Sequence, residues 1–259
     1  DFLGDSLLEI AGEKAGIIKR GRPVVSAPQE EVVAEVLRES GEAILFCDEV
    51  VGVRRVGAPQ KIKVETQARN LPPLELPLLG AAQRENVAVA VAVLEVVEDL
   101  LGVELAFKAG LERVCWPGRM MEVSQTPAIW LDGSHNPQGG AVLSSILKEC
   151  FGEREIGFVV GFLADKDAVG YVRAWKEGAR RVWAVPLDCR RGCSAEEAAE
   201  RAVLGGVEAK AVSLRDGWKE AEEWALADPN RMVVVCGSLY LMEACVEEQL
   251  MEANRFYMV

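Results

Sequence analysis

Leu131-Asp132-Gly133-Ser134-His135-Asn136-Pro137-Gln138-Gly139 is the stretch on which the fold turns. Ahead of it, Ala128 to Leu131 is a short apolar run of strand length. Behind it, Gln138 to Glu149 carries apolar residues at helical spacing. A strand that passes through a polar Gly/Asn turn into a helix is half of a parallel βαβ unit. Moving outward, the alternation repeats. Met120 to Ser124, Ile156 to Val160, Arg181 to Val185, Ala209 to Val212 and Met232 to Cys236 are further predicted strands. Ala168 to Glu177, Ala195 to Val203, Gly217 to Ala227 and Leu239 to Leu250 are predicted helices, one of them opened by the capping-box pair Ser194 and Glu197. Val/Ile-rich strands separated by helices predict a mostly parallel sheet covered on both faces, so residues from 119 onward read as a Rossmann-like α/β domain.

Upstream, Ser6 and Glu9 form a second capping-box pattern ahead of a helix through Ile10 to Ala15. Pro23 to Ala27 and Ala43 to Cys47 predict short strands, and between them a helix carries Val32, Val33, Val36 and Leu37 on one face. Val50 to Val56 and Lys61 to Thr66 alternate apolar and polar residues, as half-buried antiparallel strands do. A Pro-rich stretch, Leu71 to Pro77, precedes the longest predicted helix, Gln83 to Leu101, and a second at Glu104 to Val114. Trp116-Pro117-Gly118 punctuates the chain, and a domain boundary is expected there.

The 259 residues, half of them hydrophobic, suffice for one or two domains that bury roughly 70–75% of their unfolded surface. The formal charge of −12 argues against general nucleic-acid binding. No uncharged apolar run reaches the ~18 residues of a membrane-spanning helix, and the opening residues lack the basic start of a signal peptide. Seven cysteines with no C-x-x-C pair read as reduced residues, which points to a cytoplasmic location. Neither G-x-x-x-x-G-K-[ST] nor G-x-G-x-x-G occurs, so this stretch of chain has no P-loop and no dinucleotide fingerprint. His135 is the sole histidine, which excludes a multi-histidine metal site.

Ligands of open α/β sheets bind beyond the carboxyl ends of the strands. A helix N-terminus there offers free N–H groups and a positive dipole to phosphate. On the residues alone, Asp132 is placed to accept ribose hydroxyls, and His135 and Asn136 to donate to phosphate oxygens. Asp, Gly, Ser and Asn are also ordinary turn formers, so a plain polar turn with a structural histidine stays open at this level.

The segment Leu131 to Pro137 resembles the D-G-A-H-N-P signature of folylpolyglutamate synthases, in the Mur ligase superfamily. Five further segments match that family in order: Glu9 to Lys19 (EIAGEKAGIIK), Leu79 to Asn86 (LGAAQREN), Trp116 to Arg119 (WPGR), Gly161 to Asp167 (GFLADKD) and Gly237 to Leu241 (GSLYL). The resemblance implies an α/β chain made of the remainder of a Mur-type central ATP-binding domain, residues 1–117, and a Rossmann-like glutamate-ligase domain, residues 118–259. It implies amide-bond formation in two steps. ATP phosphorylates the terminal carboxylate of a folate, and the amine of L-glutamate then displaces phosphate. The implied cofactors are ATP and Mg²⁺, with a monovalent cation as a further candidate. The implied partners are folate, L-glutamate and ATP, bound by a monomer.

Residue roles follow from the same resemblance. Lys14 matches a lysine that is carbamylated in the family and helps hold magnesium; carbon dioxide adds to a neutral amine, so partial desolvation is expected of it. Lys14, Arg119 and His135 form the implied catalytic set. Asn86, Arg119, Asp132, His135 and Asn136 are the implied ATP contacts, Asn86 near the adenine. Lys166 and Ser238 match positions facing the incoming amino acid, where a cation and a hydroxyl hold the α-carboxylate of glutamate; for Ser238 a simple N-cap is the plain alternative. Where the family reads G-x-H-Q-x-x-N, this chain has Ala82 before Gln83, so that histidine is missing. The family's P-loop, magnesium-binding glutamate and Asp-His pair belong upstream of Leu3-Gly4. Two expectations follow: no ligase activity from this chain by itself, and open apolar surface around residues 10 to 27. Rival readings are dihydrofolate synthase activity in the same enzyme, another Mur-type amino-acid ligase, and a non-catalytic nucleotide-binding module.

Overall fold

The computed structural model describes residues 6–251, which divide into two units. The first comprises the chain up to Leu76 together with Ala81–Arg113; the second comprises Pro77–Gly80 and everything from Val114 onward. The units divide between Arg113 and Val114, a few residues before the expected Trp116-Pro117-Gly118, and the short excursion of Pro77–Gly80 was not foreseen.

In the first unit, α1 (Leu7–Ala15) starts on the predicted capping box: Ser6 Oγ accepts the Glu9 N–H, and the Glu9 carboxylate accepts the Ser6 N–H. Strands β1 (Val24–Ser26) and β2 (Ile44–Phe46) pair in parallel across α2 (Glu31–Arg38). A helical turn, α3 (Cys47–Val50), leads into the antiparallel strands β3 (Val51–Gly57) and β4 (Lys61–Thr66). A short β5 (Leu74–Glu75) adds to β4 inside the stretch expected to be only a Pro-rich connector. Helix α4 (Ala81–Leu101) buries Val87, Ala88, Val91 and Ala92, and α5 (Phe107–Arg113) follows. Arg69 ties these parts together. Its guanidinium bonds Glu95 and Glu98 of α4 and lies 3.7 Å from the Phe107 ring centroid.

The second unit is the predicted doubly covered sheet. Its elements are β6 (Met121–Gln125), β7 (Ala128–Asp132), α6 (Pro137–Ile146), β8 (Glu155–Val160), α7 (Ala168–Trp175) and β9 (Ala179–Ala184). They are followed by α8 (Ala195–Gly205), β10 (Lys210–Ala211), α9 (Leu214–Leu226), β11 (Arg231–Cys236) and α10 (Leu239–Glu247). The strand order is β10-β9-β8-β11-β7-β6, parallel throughout except for the antiparallel edge strand β6. Strands β8 and β11 are buried on both faces along almost their whole length, which is why they read as unbroken apolar runs.

The helices divide between the faces. Leu143 and Ile146 of α6, Tyr171, Val172 and Trp175 of α7, and Ala198 and Ala202 of α8 pack in one core. Trp218 and Trp224 of α9 with Leu241, Met242 and Cys245 of α10 pack in the other. Trp175 stacks on Phe158 and Trp130 meets Phe151 edge-on, so both behave as packing residues. All seven cysteines are free thiols. Among the described residues, no helix is long and apolar enough to cross a membrane.

Candidate functional site

The helices leaving β7 and β8 cover one face of the sheet, whereas α10, leaving the intervening β11, covers the other. The connections therefore diverge to opposite faces at the carboxyl edge, the position at which such sheets bind ligands. Six of the predicted site residues come together on these loops and on the turn before β6: Arg119, Asp132, His135, Asn136, Lys166 and Ser238.

Asp132 ends β7 and is buried. One carboxylate oxygen accepts the Met120 N–H at 3.1 Å and the other the Ser134 N–H at 3.0 Å. Burial pushes its pKa above the ordinary 3.8, opposed by these hydrogen bonds and by the charge of Arg119. Each oxygen takes one backbone N–H and keeps a further lone pair for a ligand. Asp132 also ties the loops together. In particular it secures Met120, which is buried at a left-handed φ of 42° immediately after Arg119. The Gly133 N–H donates to the Gly118 carbonyl at 2.7 Å, so the Trp116–Arg119 turn is fastened to the β7 loop and leaves the Arg119 side chain exposed.

His135 is half-buried, with Nδ1 3.0 Å from the Gly133 carbonyl. A carbonyl only accepts, so Nδ1 carries the proton and Nε2 is left for a ligand. Asn136 caps α6: its Oδ1 accepts the Gly139 N–H at 2.7 Å, which leaves its amide NH₂ to donate. Ser134 Oγ lies 3.0 Å from the hydroxyl of the buried Tyr171, a partner on α7 that sequence reading missed.

Ser238 is 1% exposed, and its Oγ accepts the Tyr240 N–H at 3.1 Å. Ser238 thus caps α10, as in the plain alternative to a ligand contact. The preceding Gly237 has a φ of 103°, and a Cβ there would lie 2.7 Å from the Gly161 carbonyl, so the β11 and β8 loops approach too closely for a side chain. Lys166 is half-buried in the β8 loop, and its ammonium has no partner among the described residues. Arg190 and Arg191, which the sequence reading did not single out, line a cavity with Cys189 and Tyr240.

Lys14 and Asn86 belong to the first unit. Lys14, in the last turn of α1, is exposed, so the expected desolvation is absent among the described residues. It lines a cavity of about 610 Å³ with Leu7, Ile10, Val24, Lys19 and Arg22. Asn86, in the second turn of α4, is exposed and donates to Gln83 Oε1 at 3.0 Å. Among the described residues, no group of three or more His, Cys, Asp or Glu side chains is arranged to hold a metal ion.

Residues 118–239 match the family described as Mur ligase, glutamate ligase domain. Over 94% of its length the chain is 33% identical to folylpolyglutamate synthase of Lacticaseibacillus casei, of which it covers 58%. Its fold is similar to that of E. coli FolC solved in complex with DHPP and ADP, with a TM-score of 0.77, 26% identity, and coverage of 96% of this chain and 59% of that one. It is equally similar to the bifunctional folylpolyglutamate synthase/dihydrofolate synthase of Yersinia pestis, solved with AMPPNP and a Mn ion. There the TM-score is 0.77, the identity 28%, and the coverage 97% of this chain and 58% of that one. The chain spans somewhat more than half the length of these relatives. With the motif loops gathered at one sheet edge and the match running across both units, the chain belongs to the Mur ligases, in the folylpolyglutamate synthase/dihydrofolate synthase family, and corresponds to the C-terminal part of its members.

Proposed function

We propose that the chain serves an ATP-dependent ligase that adds L-glutamate to the γ-carboxylate of a folate or folylpolyglutamate through an acyl phosphate. The observation that carries this is the likeness to folylpolyglutamate synthases over both units, not over the sheet domain alone. Dihydrofolate synthase activity is a second reading, because relatives covering 93% of this chain carry both names.

The charged groups suit the chemistry. Arg119 is the cation free to meet the moving phosphoryl group; the NH₂ of Asn136 adds a neutral donor beside the α6 N-terminus, and His135 Nε2 donates there only in the doubly protonated ring. Asp132 secures the loops that carry them. Lys166 offers its unpaired ammonium to the α-carboxylate of the amino acid, and Ser238 shapes the loop beside it. Asn86 is assigned to the adenine. Lys14, as a carbamate, would share its cavity with the cations Lys19 and Arg22, which favour an anion there. Magnesium, when bound, neutralises charge on the phosphates. The chain is proposed to act in the cytoplasm as a monomer, on small molecules and not on nucleic acid or membrane.

The test is formation of γ-linked glutamyl product from ATP, folate and labelled L-glutamate. A protein in which this chain is preceded by the N-terminal portion its relatives carry is expected to form it, and this chain alone to form none. Product from the chain alone would overturn the division of labour. No product from the longer protein, with either folate or dihydropteroate, would overturn the function.

A further inference from the structure

A cavity of about 320 Å³ opens on the loop after β9 and on α10, lined by Cys189, Arg190, Arg191 and Tyr240. We propose that it takes the side-chain carboxylate of the incoming amino acid and thereby selects a dicarboxylic amino acid over neutral ones; the inference rests on the glutamate-ligase reading above.

The loop is rigid. Its Leu163–Gly192 bridge, the Ala164 N–H donating to the Arg191 carbonyl at 2.7 Å, and the Cys193 N–H donating to the Phe162 carbonyl at 3.0 Å pin it to the β8 loop. At Gly192 a Cβ would come within 1.9 Å of the Leu187 carbonyl oxygen, so the turn closes only around glycine.

On this mount the two arginines differ. Arg191 is the frame. Its Nη1 bonds Asp165 at 2.8 Å, and the Tyr240 hydroxyl and the Asp165 carboxylate together hold its pKa above the ordinary value. Arg190 is exposed, and its guanidinium has no partner among the described residues, although the chain as a whole carries a charge of −12. A planar guanidinium is suited to gripping a carboxylate with two parallel hydrogen bonds. The cavity also adjoins the amino-acid groups: Asp165, which holds Arg191, precedes Lys166, and Tyr240 lies two residues after Ser238. A ligand with one carboxylate at Lys166 and another on a short flexible arm is the class this arrangement fits.

The experiment is calorimetric titration of the purified chain and of Arg190→Ala, Arg191→Ala and Lys166→Ala with L-glutamate, L-glutamine and inorganic phosphate. The wild-type chain is expected to bind glutamate about 10- to 100-fold more tightly than glutamine, the range of one charge-assisted hydrogen-bond pair. Arg190→Ala should bring that ratio close to one while leaving glutamine binding unchanged. Arg191→Ala should act in the same direction, and Lys166→Ala should weaken both ligands alike. Arg190 is exposed, so its variant should keep the wild-type melting midpoint. A glutamate preference that survives both arginine variants overturns the proposal and leaves the ligase reading standing. A wild-type chain that binds neither amino acid overturns the proposal, and the ligase reading is then decided by product formation from the longer protein. Phosphate binding abolished by Arg190→Ala, with the glutamate-to-glutamine ratio intact, assigns the cavity to phosphate and overturns the proposal.

Discussion

Asp132 shows how a motif residue holds its own loop together. Its two oxygens are the acceptors for Met120 and Ser134 in a buried place. Asp132→Ala strands both N–H groups, and each unsatisfied donor costs about 1–3 kcal/mol, so the melting midpoint is expected to fall sharply. The carboxyl also predicts a pH dependence. Its folded pKa lies above 3.8, so as pH rises past that value the unfolded chain releases its proton first. The stability this group contributes is full at low pH and declines until the folded value is passed. Urea midpoints of the wild type measured against Asp132→Asn between about pH 3 and 6 are expected to shift in the variant's favour as pH rises. Parallel curves would show the carboxyl unshifted. Tyr171→Phe removes a buried hydroxyl that meets both Ser134 and the Cys236 thiol and is expected to cost about 1–2 kcal/mol in thermal unfolding.

Among the elements, the ones legible in the sequence were those whose pattern and environment agree. Strands β8 and β11 are buried on both faces and read as apolar runs; α1 and α8 begin on capping boxes that the structure forms. Strand β5 was not legible, because two residues between prolines carry no period and are drawn into a strand by pairing with β4. The candidate site was legible as a place, since the loops sit where strands end. Its division into roles was not. That Ser238 Oγ takes the Tyr240 N–H, and that Asp132 joins Met120 to Ser134, depends on which N–H groups reach them. Arg190 and Arg191 went unread because nothing local marks an arginine as ion-paired or free. The turn that carries them gives a sharp prediction: Gly192→Ala is expected to destabilise the second unit by about 1–3 kcal/mol, as overpacking against a fixed carbonyl does, with the loss read from denaturant unfolding.

For the molecule as a whole, the expected open apolar surface is present in the first unit. Leu7 and Leu8 are half-exposed, Ile17 is 79% exposed, and the two-stranded β1–β2 sheet is only half-buried. Two strands form a marginal sheet on their own. The chain is therefore expected to bind an apolar dye such as ANS while folded, and Ile17→Lys to lower that signal; fluorescence indistinguishable from a sealed globular protein would count against it. The second unit has a different peculiarity. It is completed by Pro77–Gly80, whose Leu79 is buried in the core with Met120 and Ile146. The division between the units is thus laced, not sewn end to end. A protease nick between residues 113 and 114 leaves the lace in place, so the two pieces should migrate together on a native gel and separate only in detergent. A piece expressed from Val114 onward would instead begin life with a leucine-sized hole at its centre, a defect of about 2–5 kcal/mol.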